Sequence, residues 1–176
     1  ISFVCLLKTL SWPQLVGNYQ EKAIGDYQQA CIYSEQTLAV HKKLYGKMPH
    51  PDIATSLHNV GMAYYRLGNV QKTATYLEQA LTMRQKLYGK VLHPDVATSL
   101  HNMGVTYENQ GDMQKSIAHL EEALTMRHKL YGKTPHPDTA AALHLVGLAY
   151  ETLDDVQESL NHQEQALAKN QQLQAD

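Results

Sequence analysis

The chain has 176 residues, with 15 Lys and Arg against 17 Asp and Glu and a formal net charge of −2. That balance gives no global attraction to nucleic acid or to an anionic membrane. Its two cysteines, Cys5 and Cys31, have neither metal-site nor disulfide-framework spacing, which points to a reduced, cytoplasmic protein.

The opening ISFVCLLKTL is apolar but interrupted by Lys8, and is far short of the ~20 residues that span a bilayer. It lacks the basic leader and small-residue cleavage site of a signal peptide. Residues 1–11 are expected to cap the first helices or to link them to something upstream. Because the chain begins at Ile1 rather than Met, a longer parent protein is expected. Ser11 with Gln14 makes a capping box and Pro13 suits an early helical position, so residues 12–24 predict a shortened first helix. A turn at Gly25 and a second helix through LYGK complete a divergent pair over residues 12–47.

From there the chain repeats. LYGK begins at Leu44, Leu87 and Leu130, and His50-Pro51-Asp52, His93-Pro94-Asp95 and His136-Pro137-Asp138 recur at the same 43-residue step. So do His58, His101 and His144, then Gly61, Gly104 and Gly147, then Ala80, Ala123 and Ala166. A fixed period of this size marks a stacked repeat and outranks every local motif. The predicted units are 48–90, 91–133 and 134–176, the last ending in a more polar terminal helix.

Within 48–90, Pro51 suits a first helical turn and Asp52 the positive end of the helix dipole. Ala54, Leu57, Gly61 and Tyr64 then fall at helical spacing. Gly68-Asn69 breaks the pattern, a second helix runs through Leu77 and Leu81, and Gly89 ends it as a left-handed cap. First helices are expected near 51–67, 94–110 and 137–152, second helices near 70–87, 113–130 and 156–172. No stretch alternates as a strand would. Gly61, Gly104 and Gly147 inside helices each cost ~1 kcal/mol relative to alanine, so close approach of the second helix is expected. Ala80, Ala123 and Ala166 are the expected small partners.

The pattern Leu57, Gly61, Tyr64, Gly68, Leu77, Ala80 resembles the tetratricopeptide repeat, and Leu100, Gly104, Tyr107, Gly111, Leu120, Ala123 repeats it. The last unit keeps Leu143, Gly147, Tyr150 and Ala166, with Asp154 for the turn glycine and Gln163 for the apolar partner. The long unit opening with HPD-x-A resembles the arrays of kinesin light chains, nephrocystin-like proteins and sensor arms of signalling NTPases. The resemblance covers about residues 12–173. It implies an all-α fold, a right-handed superhelical solenoid of about four helix pairs, whose first helices line a concave groove that holds an extended peptide.

The positions so implied are Thr55, His58, Asn59, Met62, Tyr65 and Arg66 in one unit. They continue as Thr98, His101, Asn102, Val105, Glu108 and Asn109, then Ala141, His144, Leu145, Leu148, Glu151 and Thr152. Asn59 and Asn102 match the family's asparagines that read a peptide backbone, since an amide both donates and accepts; Leu145 departs from that pattern. The carboxylate clamp of cochaperone arrays would fall on Gln14, Asn18, Asn59, Thr98 and Asn102, which lack its three cations. Glu108 and Glu151, balanced only by Arg66, also disfavour an acidic tryptophan motif and favour a mixed apolar–basic segment.

Other chemistry fares worse. One His-Pro-Asp between two particular helices is the signal of a J-domain cochaperone, whereas three copies at a fixed step read as helix-start punctuation. Histidines on successive stacked helices lie ~8–10 Å apart, too far to share a zinc ion whose bonds are near 2 Å. No nucleophile elbow, phosphate loop or paired-ligand motif occurs. The sequence therefore predicts no enzyme, no cofactor and no metal. The recurring Lys42/Lys43, Arg84/Lys86 and Arg127/Lys129 are expected to complement second-helix dipoles, or alternatively to form a ladder for an acidic partner. The expected function is a peptide-binding scaffold. The alternative is a sensor or oligomerisation arm of a larger signalling protein, packing on its own chain or associating through the array ends.

Overall fold

The computed structural model describes residues 12–132 and 134–175, with side chains over 24–132 and 134–173. The segment 1–11, for which a capping or linking role is expected, lies outside them, Ser11 included. All regular structure among the described residues is helical. α1 spans Trp12–Tyr45, α2 Pro51–Arg66, α3 Val70–Tyr88, α4 Pro94–Asn109, α5 Met113–Tyr131, α6 Pro137–Glu151 and α7 Val156–Ala175. α2–α3, α4–α5 and α6–α7 are hairpins, and each packs on the next through its second helix. The result is an α-α solenoid.

Each hairpin starts in the same way. His50, His93 and His136 are extended N-cap residues whose Nδ1 accepts the N–H of Asp52, Asp95 and Asp138, at 3.2, 3.1 and 3.2 Å. Pro at the first helical position then needs no partner for its missing N–H. Tyr45, Tyr88 and Tyr131, from the preceding LYGK, stack on these imidazoles with ring centroids 3.5, 3.6 and 3.7 Å apart. The LYGK–HPD pair is therefore one joint, holding the end of a second helix against the start of the next first helix. Gly89 and Gly132 make it with positive φ of 58° and 60°. Between the helices of each pair the bend falls on Gly68 and Gly111 (φ 72° and 79°) and, in the last pair, on Asp154 at φ 58°. Asn69 and Asp112 then cap the second helices by accepting from the N–H of Lys72 and Lys115.

The core is one cluster copied along the array. Cys31 and Leu38 of α1 meet Ile53, Leu57 and Val60 of α2 and Ala80 of α3. Leu77 and Leu81 meet Val96, Leu100 and Met103, with Ala123. Ile117, Leu120 and Leu124 meet Leu143 and Val146, with Ala166. Each cluster joins a second helix to the following hairpin, so burial is shared between neighbours as a solenoid requires.

The close approach at the helix glycines is present, but its partner is not the expected alanine. A Cβ on Gly61 would lie 2.9 Å from Leu77 Cδ2, on Gly104 2.6 Å from Leu120 Cγ, and on Gly147 2.9 Å from Gln163 Cγ. Ala80, Ala123 and Ala166 sit one turn further on, in the neighbouring clusters.

The second correction concerns the first pair. Residues 12–24 are not a separate helix: Trp12–Tyr45 is one continuous helix, with no turn at Gly25. The reason is legible in α1. Leu77 and Ala80, which hold α3 against its own first helix, are matched by Ser34 and Thr37, whose hydroxyls bond back to the carbonyls of Ala30 and Tyr33. A seat of that kind offers an apolar helix little to bury. The C-terminal half of α1 nonetheless serves α2 as a second helix would, running antiparallel to it. His41 meets Ser56 at 2.7 Å, and Tyr64 Oη donates to Glu35 Oε1 at 2.6 Å.

Candidate functional site

On α2, the buried residues Ile53 and Leu57 lie about 200° around the helix from Thr55 and Asn59 respectively, given 100° per residue. The periodicity that buries one edge therefore leaves the other for solvent. Thr55, Asn59, Tyr65 and Arg66 are exposed, and Met62 is half-buried. On α4 the same positions are mostly half-buried (Thr98, Asn102, Val105 and Glu108), with Asn109 exposed. On α6, Ala141, His144, Glu151 and Thr152 are exposed and Leu145 and Leu148 half-buried.

Several of these side chains already have work within the fold. Met62 packs on the cluster of Leu77 and Leu81, and Leu145 on that of Leu143 and Val146, so neither is a free apolar anchor. Arg66 lies over the Tyr27 ring of α1, 5.7 Å from its centroid. The Asn109 amide donates to the Val105 carbonyl, and Glu151 accepts from Gln163 at 3.4 Å. By contrast, the side chains of Asn59, Asn102 and Glu108 make no hydrogen bond or ion pair to the described residues.

The histidines divide. His144 is exposed, whereas His58 and His101 are half-buried against buried arginines. Burial, reinforced by the Arg84 guanidinium, pushes the His58 imidazole down to about 4; burial and Arg127 do the same to His101. His101 Nδ1 lies 3.1 Å from Arg127 Nη1 and is placed to accept from it. Both imidazoles are thus packed against a buried arginine, whereas His144 stands in the open.

Arg84 and Arg127 require a further correction. They are only 5% and 4% exposed, so they neither lie on an open basic edge nor serve mainly to complement a helix dipole. Arg84 Nη1 donates to Ser99 Oγ at 2.6 Å and to the Asp95 carbonyl at 3.1 Å, tying α3 to the start of α4. The matching residue of α1 is His41, bonded to Ser56; Ala142 replaces the serine in α6, and there Arg127 turns to His101. Sequence reasoning missed this series of ties and the Tyr–His stacks. Both were signalled by residues recurring at the 43-residue step. Tyrosine hydroxyls add to them: Tyr150 donates to Glu121 at 2.5 Å, and that bond pushes its phenol up to about 12.

Among the described residues, no helix is long and apolar enough to cross a membrane, and no group of three or more His, Cys, Asp or Glu is placed to hold a metal ion.

Comparison with known proteins fits this geometry. The tetratricopeptide repeat family matches over residues 19–86, 52–129 and 95–172, which together cover most of the chain. The chain belongs to the tetratricopeptide repeat family, whose members are generally protein-interaction scaffolds. Among solved structures it is similar to a kinesin light chain from Podosopora anserina with nearly identical TPR-like repeats. That match has 28% identity and a TM-score of 0.72, covering 88% of this chain and 71% of the other. BtubC (BKLC) from P. vanneervenii matches at 23% identity and a TM-score of 0.78 over 86% of this chain, which spans 59% of its length. MamA matches at 18% identity and a TM-score of 0.56, over 95% of this chain and 99% of its own. The last two show the fold alone. No curated protein matches the sequence.

Proposed function

We propose that the array binds an extended peptide segment of another protein along the outer stripe of α2, α4 and α6, with this stripe lining the concave side of the superhelix. The observation that carries the reading is the pair Asn59 and Asn102. They stand at equivalent positions on successive first helices, their amides unpartnered among the described residues. Such amides can donate to and accept from a peptide backbone whatever its sequence. Glu108 supplies a negative charge between them and α6, while Tyr65, Val105 and Leu148 offer partly exposed apolar surface. The preferred segment therefore carries one or two bulky apolar side chains with lysine or arginine beside them, and binds with the micromolar affinity of a short linear motif. Fluorescence anisotropy of such a peptide tests this. Asn102→Ala should weaken every ligand held on this stripe by about 1 kcal/mol, whereas Glu108→Lys should reduce basic ligands of the stripe and improve acidic ones there. Preference of the wild-type array for acidic peptides on this face would refute the reading.

A second reading, in which the array packs on further chain or on another copy, draws support from α7. Val156, Leu160 and Leu167 are 63%, 50% and 59% exposed, while Ile117 and Leu124, the matches of the last two on α5, are buried under α6. α7 thus keeps exposed an apolar face of the kind that α6 covers on α5.

A further inference from the structure

The opposite side of the array carries a cleft that the peptide-binding stripe does not use. It opens between the C-terminal end of α1 and α3, is floored by Leu57 of α2 and Met83 of α3, and encloses about 420 Å³. An adjoining hollow of about 400 Å³ extends it toward Met48, which is 74% exposed. Leu57 faces about 200° away from Asn59 on the same helix, so the two surfaces are separate.

The charge around this floor is one-sided. Lys42, Lys47 and Lys86 stand at the rim, all exposed, and no carboxylate of the described residues pairs with them. Glu78 is the only acid in the lining. One repeat further on the matching positions are Gln85, Lys90 and Lys129 against Glu121 and Glu122, so the next step of the array has no excess of either sign. A net positive rim on an apolar floor therefore arises at the first step and not at the second. Exposed ammonium groups around a low-dielectric floor attract carboxylates most strongly where an apolar side chain excludes water between them.

We propose that this cleft is a second docking site, for an acidic peptide segment that buries one bulky apolar side chain against Leu57 and Met83 and sets carboxylates on Lys42, Lys47 and Lys86. Its preference is opposite in charge to that of the α2–α4–α6 stripe, so one array can hold two dissimilar segments at once.

The test is anisotropy of a fluorescein-labelled heptapeptide of alternating glutamate and aspartate around a central phenylalanine, titrated with the full chain. Saturable binding is expected. The double variant Lys42→Glu/Lys86→Glu should weaken it at least tenfold, and replacing the phenylalanine with serine should weaken it comparably. Lys90→Glu/Lys129→Glu and Asn102→Ala should each leave the affinity within twofold. All these positions except Asn102 are exposed lysines, so the charge variants are expected to fold; circular dichroism checks this. The proposal is overturned if binding is unsaturable, if the serine peptide binds equally well, or if reversal at Lys90 and Lys129 matters as much as reversal at Lys42 and Lys86. Loss of binding in Asn102→Ala alone would place the acidic peptide on the other face and also overturn it.

Discussion

One substitution, glycine to alanine, should change stability in opposite directions at two helical positions of this chain. In a helix interior it ordinarily stabilises by ~1 kcal/mol, through backbone entropy alone. At Gly104 the added methyl would stand 2.6 Å from Leu120 Cγ, 2.8 Å from its Cδ2 and 3.1 Å from the Ser116 carbonyl oxygen. Leu120 is fully buried and a backbone oxygen cannot swing aside, so α4 and α5 must separate. Overpacking of this kind costs about 1–3 kcal/mol. With the entropic gain of ~1 kcal/mol set against it, a net loss of up to about 2 kcal/mol is expected, or up to roughly 8 °C in Tm for a chain of this size. At Gly25 a Cβ would meet nothing within 4 Å, and the residue lies inside α1, so Gly25→Ala should stabilise by ~1 kcal/mol. Urea titration followed by circular dichroism at 222 nm measures both. A midpoint for Gly104→Ala raised by the full ~1 kcal/mol helix gain, as at Gly25, would show that the tight contact is not there. A destabilised Gly25→Ala would mean that Gly25 makes a positive-φ turn, and that α1 is a helix pair after all.

Three further outcomes follow from the buried polar contacts. His58 and His101 have folded-state values pushed down to about 4, against an unfolded 6.5, so the unfolded chain takes up protons first as pH falls. Their contribution is complete above pH 6.5 and lost as pH falls toward 4, about 1–2 kcal/mol per histidine between pH 7 and 5 after discounting for partial exposure; a His58→Gln/His101→Gln chain should lose correspondingly less over that range, and equal losses would refute the assignment. Arg84→Ala strands Ser99 Oγ and the Asp95 carbonyl and should cost about 2–4 kcal/mol, whereas Lys86→Ala, on the exposed side, should stay within ~0.5 kcal/mol; equal denaturation midpoints would contradict the buried tie. His93→Ala removes an N-cap and a stacked ring and should cost about 1–2 kcal/mol in thermal melts, while His93→Gln should leave any chaperone ATPase unaltered; stimulation that the wild type gives and the variant loses would restore the cochaperone reading.

The 43-residue step made the helices legible because each boundary has a local cause that repeats: His-Pro-Asp starts, Gly-Asn or Gly-Asp bends, LYGK ends. Asp154 kept the bend although the glycine was gone, since aspartate tolerates positive φ better than most residues. What the sequence hid was the identity of partners. Leu77 and Ala80 are one turn apart on the same helix edge, and spacing alone could not say which faces Gly61. Arg84 read as a surface cation because guanidinium groups are rarely buried unless paired, and its partners are a hydroxyl and a carbonyl rather than an acid. The continuous α1 was missed because Gly25-Asp26 copies the bend of its neighbours; the contrary signal was Ser34 and Thr37 where an apolar seat was needed. For the candidate face, the exposed edge of each first helix could be read from periodicity. The diversion of Met62, Leu145 and His58 into packing depends on neighbouring helices and could not.

On the function proposed above, the outer stripe of the first helices receives a peptide. Backbone amide chemical-shift mapping of the isotope-labelled chain with a saturating apolar–basic peptide tests it most directly. The largest perturbations are expected at Asn59, Asn102, Val105, Glu108 and Leu148, with Thr75, Glu78 and Thr82 on α3 unmoved. Perturbations confined to α3 and α5, with α2, α4 and α6 silent, would contradict it.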